Sequence, residues 1–191
     1  MKSKRRQNES ALVCAAGRGD KQALRTLLVR NWDWLRAVVY GVVCDAADID
    51  DVLQDICVRV IGKIGTLREP ERFRPWLAVV ARNQALQYRR DKSHRPARLD
   101  EELAERQSDG KGRHFVDSME QAEQCRRILE AVRRLPEKYR EVFVLGYSGD
   151  LTYAQIGEIL DVPVTTVQIR LVRARRMIYD RVAGKDKVKE R

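Results

Sequence analysis

Arg170, Arg173, Arg175 and Arg176 stand close together with Thr165, Thr166 and Gln168 in the stretch VPVTTVQIRLVRARRMIY. The chemistry open to this set is recognition. Guanidinium groups bond phosphate oxygens and guanine, and a glutamine carboxamide pairs with the N6/N7 edge of adenine. A second set is acidic: Asp48, Asp50, Asp51 and Asp55 lie within eight residues of one another. Three readings of it are open. Carboxylates at a helix start are favoured by the helix dipole, the run offers a docking surface for a partner helix, and clustered carboxylates can hold a metal. The spacing is not that of a calcium-binding loop. The chain has no phosphate-binding P-loop, no glycine-rich phosphate loop and no histidine-rich cluster, so no catalytic residue, metal site or cofactor is assigned.

The basic set is positioned by two helices and a turn. Thr152 followed by Gln155 is a capping box, which starts a helix at Tyr153. Ile156, Ile159 and Leu160 give that helix an apolar face. Asp161-Val162-Pro163 ends it, because proline clashes with the preceding turn and holds Val162 out of the helical region. In the next helix Val167, Leu171, Ala174 and Ile178 fall on one side, leaving the polar and basic residues on the others. A short helix, a tight turn and a longer basic helix form the helix-turn-helix plan. In that plan the second helix enters the major groove and presents its N-terminal residues to base edges. An arginine-rich face is also common on helices that are merely solvated, so the pattern is weighed together with composition.

The chain carries 38 Lys+Arg against 28 Asp+Glu, a net charge of +10 in 191 residues. That balance points to a polyanionic partner, nucleic acid first and an anionic membrane surface second. The longest apolar run, residues 37–44, is far short of the roughly 20 residues that span a bilayer, so no direct membrane insertion is expected. A basic N-terminus followed by a short apolar stretch resembles a signal peptide, but the apolar core is too short and Asn8 and Glu9 interrupt it. Cys14, Cys44, Cys57 and Cys125 are scattered without close pairs, which suits free thiols in a reducing cytoplasm.

Periodicity makes the chain all-α, in two small helical domains joined by a flexible polar linker. Residues 1–10 read as a disordered basic arm. Residues 11–95 form the first domain: Asp20 caps a helix through Leu24, Leu27 and Leu28, the chain bends near Asn31, and Trp32, Leu35, Val38 and Val39 continue the apolar stripe. The acidic run leads into a helix that buries Val52 and Ile56. Residues 62–72 are a loop, and a further helix begins near Pro75, a residue that suits the first turn. There Trp76, Leu77, Val80 and Ala81 face the core, while Arg74, Arg82, Asn83, Gln87, Arg89 and Arg90 suit phosphates or bases. Residues 96–118 are too polar to bury a core and form the linker. Residues 119–183 form the second domain, and residues 184–191 a disordered basic tail.

These parts together resemble the bacterial sigma factors of the sigma-70 type, in the small two-domain extracytoplasmic-function (ECF) group. The segment LPEKYREVFVLGYSGDLTYAQIGEILDVPVTTVQIRLVRARRMI is similar to sigma region 4. DIDDVLQDICVRV and FRPWLAVVARNQALQYRR are similar to parts of region 2. The resemblance implies a transcription initiation factor, itself no enzyme, with core RNA polymerase, promoter DNA and an anti-sigma factor as partners. It implies a cytoplasmic protein, held at the membrane where such an anti-sigma factor is membrane-bound.

The roles it implies are specific. Asp51, Leu53, Gln54 and Asp55 match the segment that docks on the polymerase clamp helices. Arg74, Arg82, Asn83, Arg89 and Arg90 are the candidates for opening and holding the −10 element. Thr165, Thr166, Gln168, Ile169, Arg170, Val172 and Arg173 match positions that touch the −35 element. A frequent family form has glycine in place of Thr165, a basic residue in place of Gln168 and serine in place of Ile169. The departure implies a −35 sequence other than the usual GGAAC-like one. Two rivals stand beside this reading. A stand-alone helix-turn-helix regulator accounts for residues 150–179 but gives the Asp51–Asp55 and Phe73–Arg90 segments nothing to do. A magnesium-dependent nuclease built on Asp48, Asp50, Asp51 and Asp55 would lose cleavage in Asp51→Ala.

Overall fold

The computed structural model describes residues 2–45, 47–94, 117–147 and 150–184. Four helices form an N-terminal bundle: α1 (Lys2–Gly17), α2 (Lys21–Val43), α3 (Ile49–Lys63) and α4 (Phe73–His94). Two short 3-10 turns, Ile64–Thr66 and Pro70–Arg72, connect α3 to α4. Four more form a C-terminal bundle: α5 (Asp117–Arg133), α6 (Glu137–Tyr147), α7 (Tyr153–Leu160) and α8 (Val164–Val182). No strand occurs among the described residues, as the periodicity predicts. No helix among them is long and apolar enough to cross a membrane.

In α2 the expected cap is present: Asp20 Oδ1 accepts from the backbone N–H of Gln22 at 2.9 Å and of Ala23 at 3.0 Å. This satisfies two donors that a helix start leaves without partners. The bend expected near Asn31 does not occur, and α2 runs on as one helix. Asn31 is buried, donating Nδ2 to Leu27 O at 2.8 Å and accepting from Arg74 Nη1 at 2.8 Å. Its side chain thus bonds within the helix and to α4 instead of breaking the chain. The first ten residues differ from expectation too, since the backbone is helical from Lys2. Val13 and Ala16 are buried further along α1, and Asn8 and Glu9 face Arg30 and Asn31 of α2, so tertiary packing supplies what composition lacks. The linker and the tail from Lys185 lie outside the described residues, except that Asp117 and Ser118 already belong to α5.

Helix α4 is packed closely because it is small along one side: Ala78, Ala81 and Ala85 are fully buried beside Phe73 and Leu77. It lies against α2 and α3, which contribute Leu35, Val39, Val52, Leu53, Ile56 and Val60. The apolar core continues from this bundle into Val142, Val144, Leu145 and Ile156 of the C-terminal bundle. A second cluster joins α5 and α8 through Ala131, Val132, Leu135, Ala174 and Ile178. Cys14, Cys44 and Cys57 are free thiols, and burial pushes the Cys44 and Cys57 thiols up.

The helix-turn-helix forms as its sequence dictates. Thr152 and Gln155 make both bonds of the capping box, at 3.2 and 2.9 Å. Asp161 takes a left-handed conformation (φ 54°) at the end of α7, and Val162 N–H donates to Gly157 O at 3.0 Å. The turn comes so near α7 that a Cβ on Gly157 would lie 2.7 Å from the carbonyl oxygen of Val162. Because that neighbour is backbone, the turn itself must move. Gly157→Ala is expected to cost about 2 kcal/mol, in the range of overpacked cores, read by chemical denaturation. A variant as stable as the parent would contradict this packing.

Candidate nucleic-acid interface

Helix α8 buries Val167, Leu171, Ala174 and Ile178 and turns the opposite faces outward. Thr165, Gln168, Ile169, Val172 and Arg173 are exposed, while Thr166 and Arg170 are half-buried. The predicted −35 set is therefore one surface at the N-terminal half of the second helix. Ile169 and Val172 are 52 % and 66 % exposed, apolar side chains set among polar ones as a thymine methyl contact requires. Arg173 donates to the hydroxyl of Tyr139 on α6, which lowers the pKa of that phenol.

The acidic run resolves into separate roles. Asp45 and Asp48 both meet Lys92 Nζ, at 3.0 and 2.6 Å. The Lys92 bond is the main reason Asp45 is held below the usual carboxylate range, and the two carboxylates raise Lys92 in turn. Asp50 pairs with Arg36, and Asp55 accepts from Gln84 Nε2 at 3.0 Å. No group of three metal-ligating side chains forms among the described residues. Of the predicted docking set, Asp51, Gln54 and Asp55 are exposed on α3. Leu53 is not: it is fully buried in the core, because with Ile49, Ile56 and Val60 it completes the inward face of the helix. The outward face continues instead through Val58 and Ile61, 65 % and 59 % exposed. Both escaped the sequence reading, although the spacing of 51, 54, 58 and 61 is that of one helical face.

The α4 set is divided as well. Asn83 and Arg90 are exposed, and Arg90 Nη2 donates to Gln87 Oε1 at 3.0 Å. Arg82 and Arg89 are half-buried, with carboxylates of α6 beside them. Arg74 is buried: its guanidinium lies 4.3 Å from the Trp34 ring centroid, bonds Asn31, and reaches Asp150 at 3.3 Å. Its assignment to −10 DNA is corrected accordingly, since an arginine with its charge balanced inside the fold has little left to offer a phosphate. Trp76 packs on Phe73 with ring centroids 6.0 Å apart. Tyr88 is half-buried, and burial, followed by its hydrogen bond to Asp48, raises its pKa.

Arg140 was not legible as important. It is buried between the ends of two helices. Nε donates to Gly41 O near the end of α2 at 2.9 Å, and Nη1 to Arg133 O at 3.2 Å and Leu135 O at 2.8 Å, beyond the end of α5. Carbonyls at helix C-termini lack helical partners and carry partial negative charge, so one cation here serves both ends.

Two family models match the chain: Sigma-70 region 2 over residues 27–95 and Sigma-70, region 4 over residues 125–178. The chain is 29% identical to the ECF RNA polymerase sigma-E factor of Haemophilus influenzae over 180 residues, covering 91% of this chain and 95% of the relative. It is 28% identical to the sigma-E factor of Escherichia coli over 180 residues, 91% of this chain and 94% of that one. In fold it is similar to CnrH, solved in complex with the cytosolic domain of CnrY, with a TM-score of 0.62 and 23% identity over 95% of this chain and 99% of that one. It is also similar to the sigma factor RpoE of Bartonella quintana, solved with the anti-sigma factor NepR, with a TM-score of 0.60 and 17% identity over 87% of this chain and 98% of that one. The region 2 match covers the segments that a stand-alone regulator would leave idle. Both modules in this order, with relatives matched along nearly the whole chain, mean that the chain belongs to the sigma-70 family, in its extracytoplasmic-function group.

Proposed function

We propose that the protein is a promoter-specificity factor that joins core RNA polymerase, directs it to a distinct promoter class and helps melt the −10 element. The observation that carries this reading is the presence of both sigma modules in one chain, in order. The factor contributes recognition, and the polymerase performs the chemistry, so the protein itself is not an enzyme. The exposed face of α3, with Asp51, Gln54, Asp55, Val58 and Ile61, is the surface assigned to the polymerase. Arg82, Asn83, Arg89 and Arg90 are assigned to −10 DNA, where base extrusion costs a few kcal/mol that a pocket and backbone-tracking cations offset. Thr165, Thr166, Gln168, Ile169, Arg170, Val172 and Arg173 are assigned to the −35 element. The protein is expected to work in the cytoplasm. The RpoE likeness makes an anti-sigma factor the expected regulator.

The −35 assignment makes a specific prediction. Gln168→Ala removes one bidentate contact and should lower discrimination at one base by about 1–3 kcal/mol, measured on a series of −35 variants with polymerase holoenzyme. Unchanged base preference would contradict the role given to Gln168. The reading as a whole is tested by mixing purified protein with bacterial core polymerase on a sizing column. Co-elution as a one-to-one complex is expected; separate elution would contradict it.

A further inference from the structure

The carboxylates around α3 are held by two kinds of partner. Asp48 and Asp50 meet cations, Lys92 Nζ at 2.6 Å and Arg36 Nη1 respectively. Asp55 meets a neutral group instead: Gln84 of α4 donates Nε2 to Asp55 Oδ2 at 3.0 Å. The two ends of this bond differ in their surroundings. Asp55 is exposed, whereas Gln84 is only 8 % exposed. Gln84 falls on the inward side of α4 with the buried Leu77, Ala81 and Ala85. That helix packs against α3, whose Val52, Leu53 and Ile56 are fully buried. One turn further along α4, Tyr88 bonds Asp48 and feels the charge of Asp51. The edge of α4 from Gln84 to Tyr88 therefore runs along the side of α3 that carries Asp51 and Asp55.

Folding alone gives no reason for a carboxamide at this place. Burying one is unfavourable unless both of its ends are bonded, and Gln84 Oε1 is buried with no hydrogen-bond partner among the described residues. A methionine or leucine would complete the apolar side of α4 without leaving that oxygen unsatisfied. We infer that Gln84 is a positioning residue for polymerase binding: it holds the Asp55 carboxylate in one orientation on the face of α3 assigned to the polymerase. The inference rests on the sigma-factor reading. An exposed aspartate otherwise samples several rotamers, and a partner that needs one of them must freeze out the rest. A donor anchored in the core does this beforehand. Because the donor is neutral, it leaves the negative charge of Asp55 uncancelled, whereas Lys92 and Arg36 balance the charges of Asp48 and Asp50. A carboxylate has about four acceptor sites, so the bond to Gln84 leaves room for a cation of the partner.

A double-mutant cycle tests this, with the affinity of the full chain for core polymerase measured by fluorescence titration. Gln84→Met removes the donor while filling nearly the same space, so the protein should stay folded. It is expected to weaken polymerase binding about fivefold, the scale of ordering one side chain on association. Asp55→Ala should weaken binding by at least as much. In the Asp55→Ala background, Gln84→Met should then change affinity by less than about twofold, since no carboxylate remains to be placed. A general loosening of the fold would instead weaken both backgrounds by the same factor, and that result would overturn the inference. Full affinity in Gln84→Met, or in Asp55→Ala, would overturn it too. If Gln84→Met does not fold, the bond is read from its exposed end. Asp55→Ala should then shift the side-chain amide NMR signals of Gln84, and unmoved signals would overturn the inference. If the unsubstituted chain does not bind core polymerase, the sigma-factor reading itself fails and the role of Gln84 with it.

Discussion

Replacing Arg140 by alanine is expected to destabilise the C-terminal bundle by about 3 kcal/mol, the scale of removing one partner from a buried charged hydrogen-bond set. Arg140 is only 7 % exposed, and its guanidinium serves three carbonyl oxygens. Truncation leaves Leu135 O and Gly41 O in a space that alanine cannot fill and two helix ends without their compensating charge. Glu141, also buried, would lose a neighbouring cation on its own helix while keeping Arg82. Arg140→Lys should recover only part of the loss, because a point charge on a flexible stem cannot serve diverging carbonyls as a planar fork does. Urea denaturation of the three proteins measures the difference. A loss below about 1 kcal/mol for the alanine variant would mean that water replaces the guanidinium at these carbonyls.

The second large effect is expected on the outward face of α3. Val58 and Ile61 are well exposed beside Asp51, Gln54 and Asp55, in the arrangement of an interface with an apolar centre and a polar rim. Val58→Asp with Ile61→Asp should weaken binding to core polymerase by about 30-fold or more, the consequence of losing roughly 2 kcal/mol at interface hot spots. Folding stability should change by no more than about 0.5 kcal/mol, as is usual for exposed sites. Leu53→Asp provides the contrast. It buries a carboxylate in the core and should unfold the N-terminal bundle, so its loss of polymerase binding would say nothing about contact. Undiminished polymerase binding by the Val58/Ile61 double variant would remove this face from the interface.

What could be read from the chain was what neighbouring residues decide. The capping box at Thr152, the stop at Pro163 and the buried stripe Val167, Leu171, Ala174 and Ile178 depend on residues a few positions apart, and all appear as expected. The exposed strip of α8 follows from that stripe. What escaped was decided by partners distant in the chain. Nothing local says that Arg74 will find Asn31, Trp34 and Asp150, or that Arg140 will find Gly41. An arginine on a helix reads equally well as a phosphate contact or as a balanced interior charge until the opposite helix is in place. The helical start at Lys2 likewise depends on α2, since the first turns of α1 have little apolar surface of their own. Leu53 is different. Its spacing from Ile49, Ile56 and Val60 already marked it as inward, and family resemblance drew it outward against that pattern.

The most direct test of the account is run-off transcription by purified core polymerase on a pooled library of promoter fragments, with and without this protein. Protein-dependent transcripts that start downstream of one shared pair of motifs are the predicted result, with the −35 motif departing from the GGAAC-like form. Absence of such transcripts, together with tight binding of duplex DNA by the protein alone, would contradict the account and favour a stand-alone regulator.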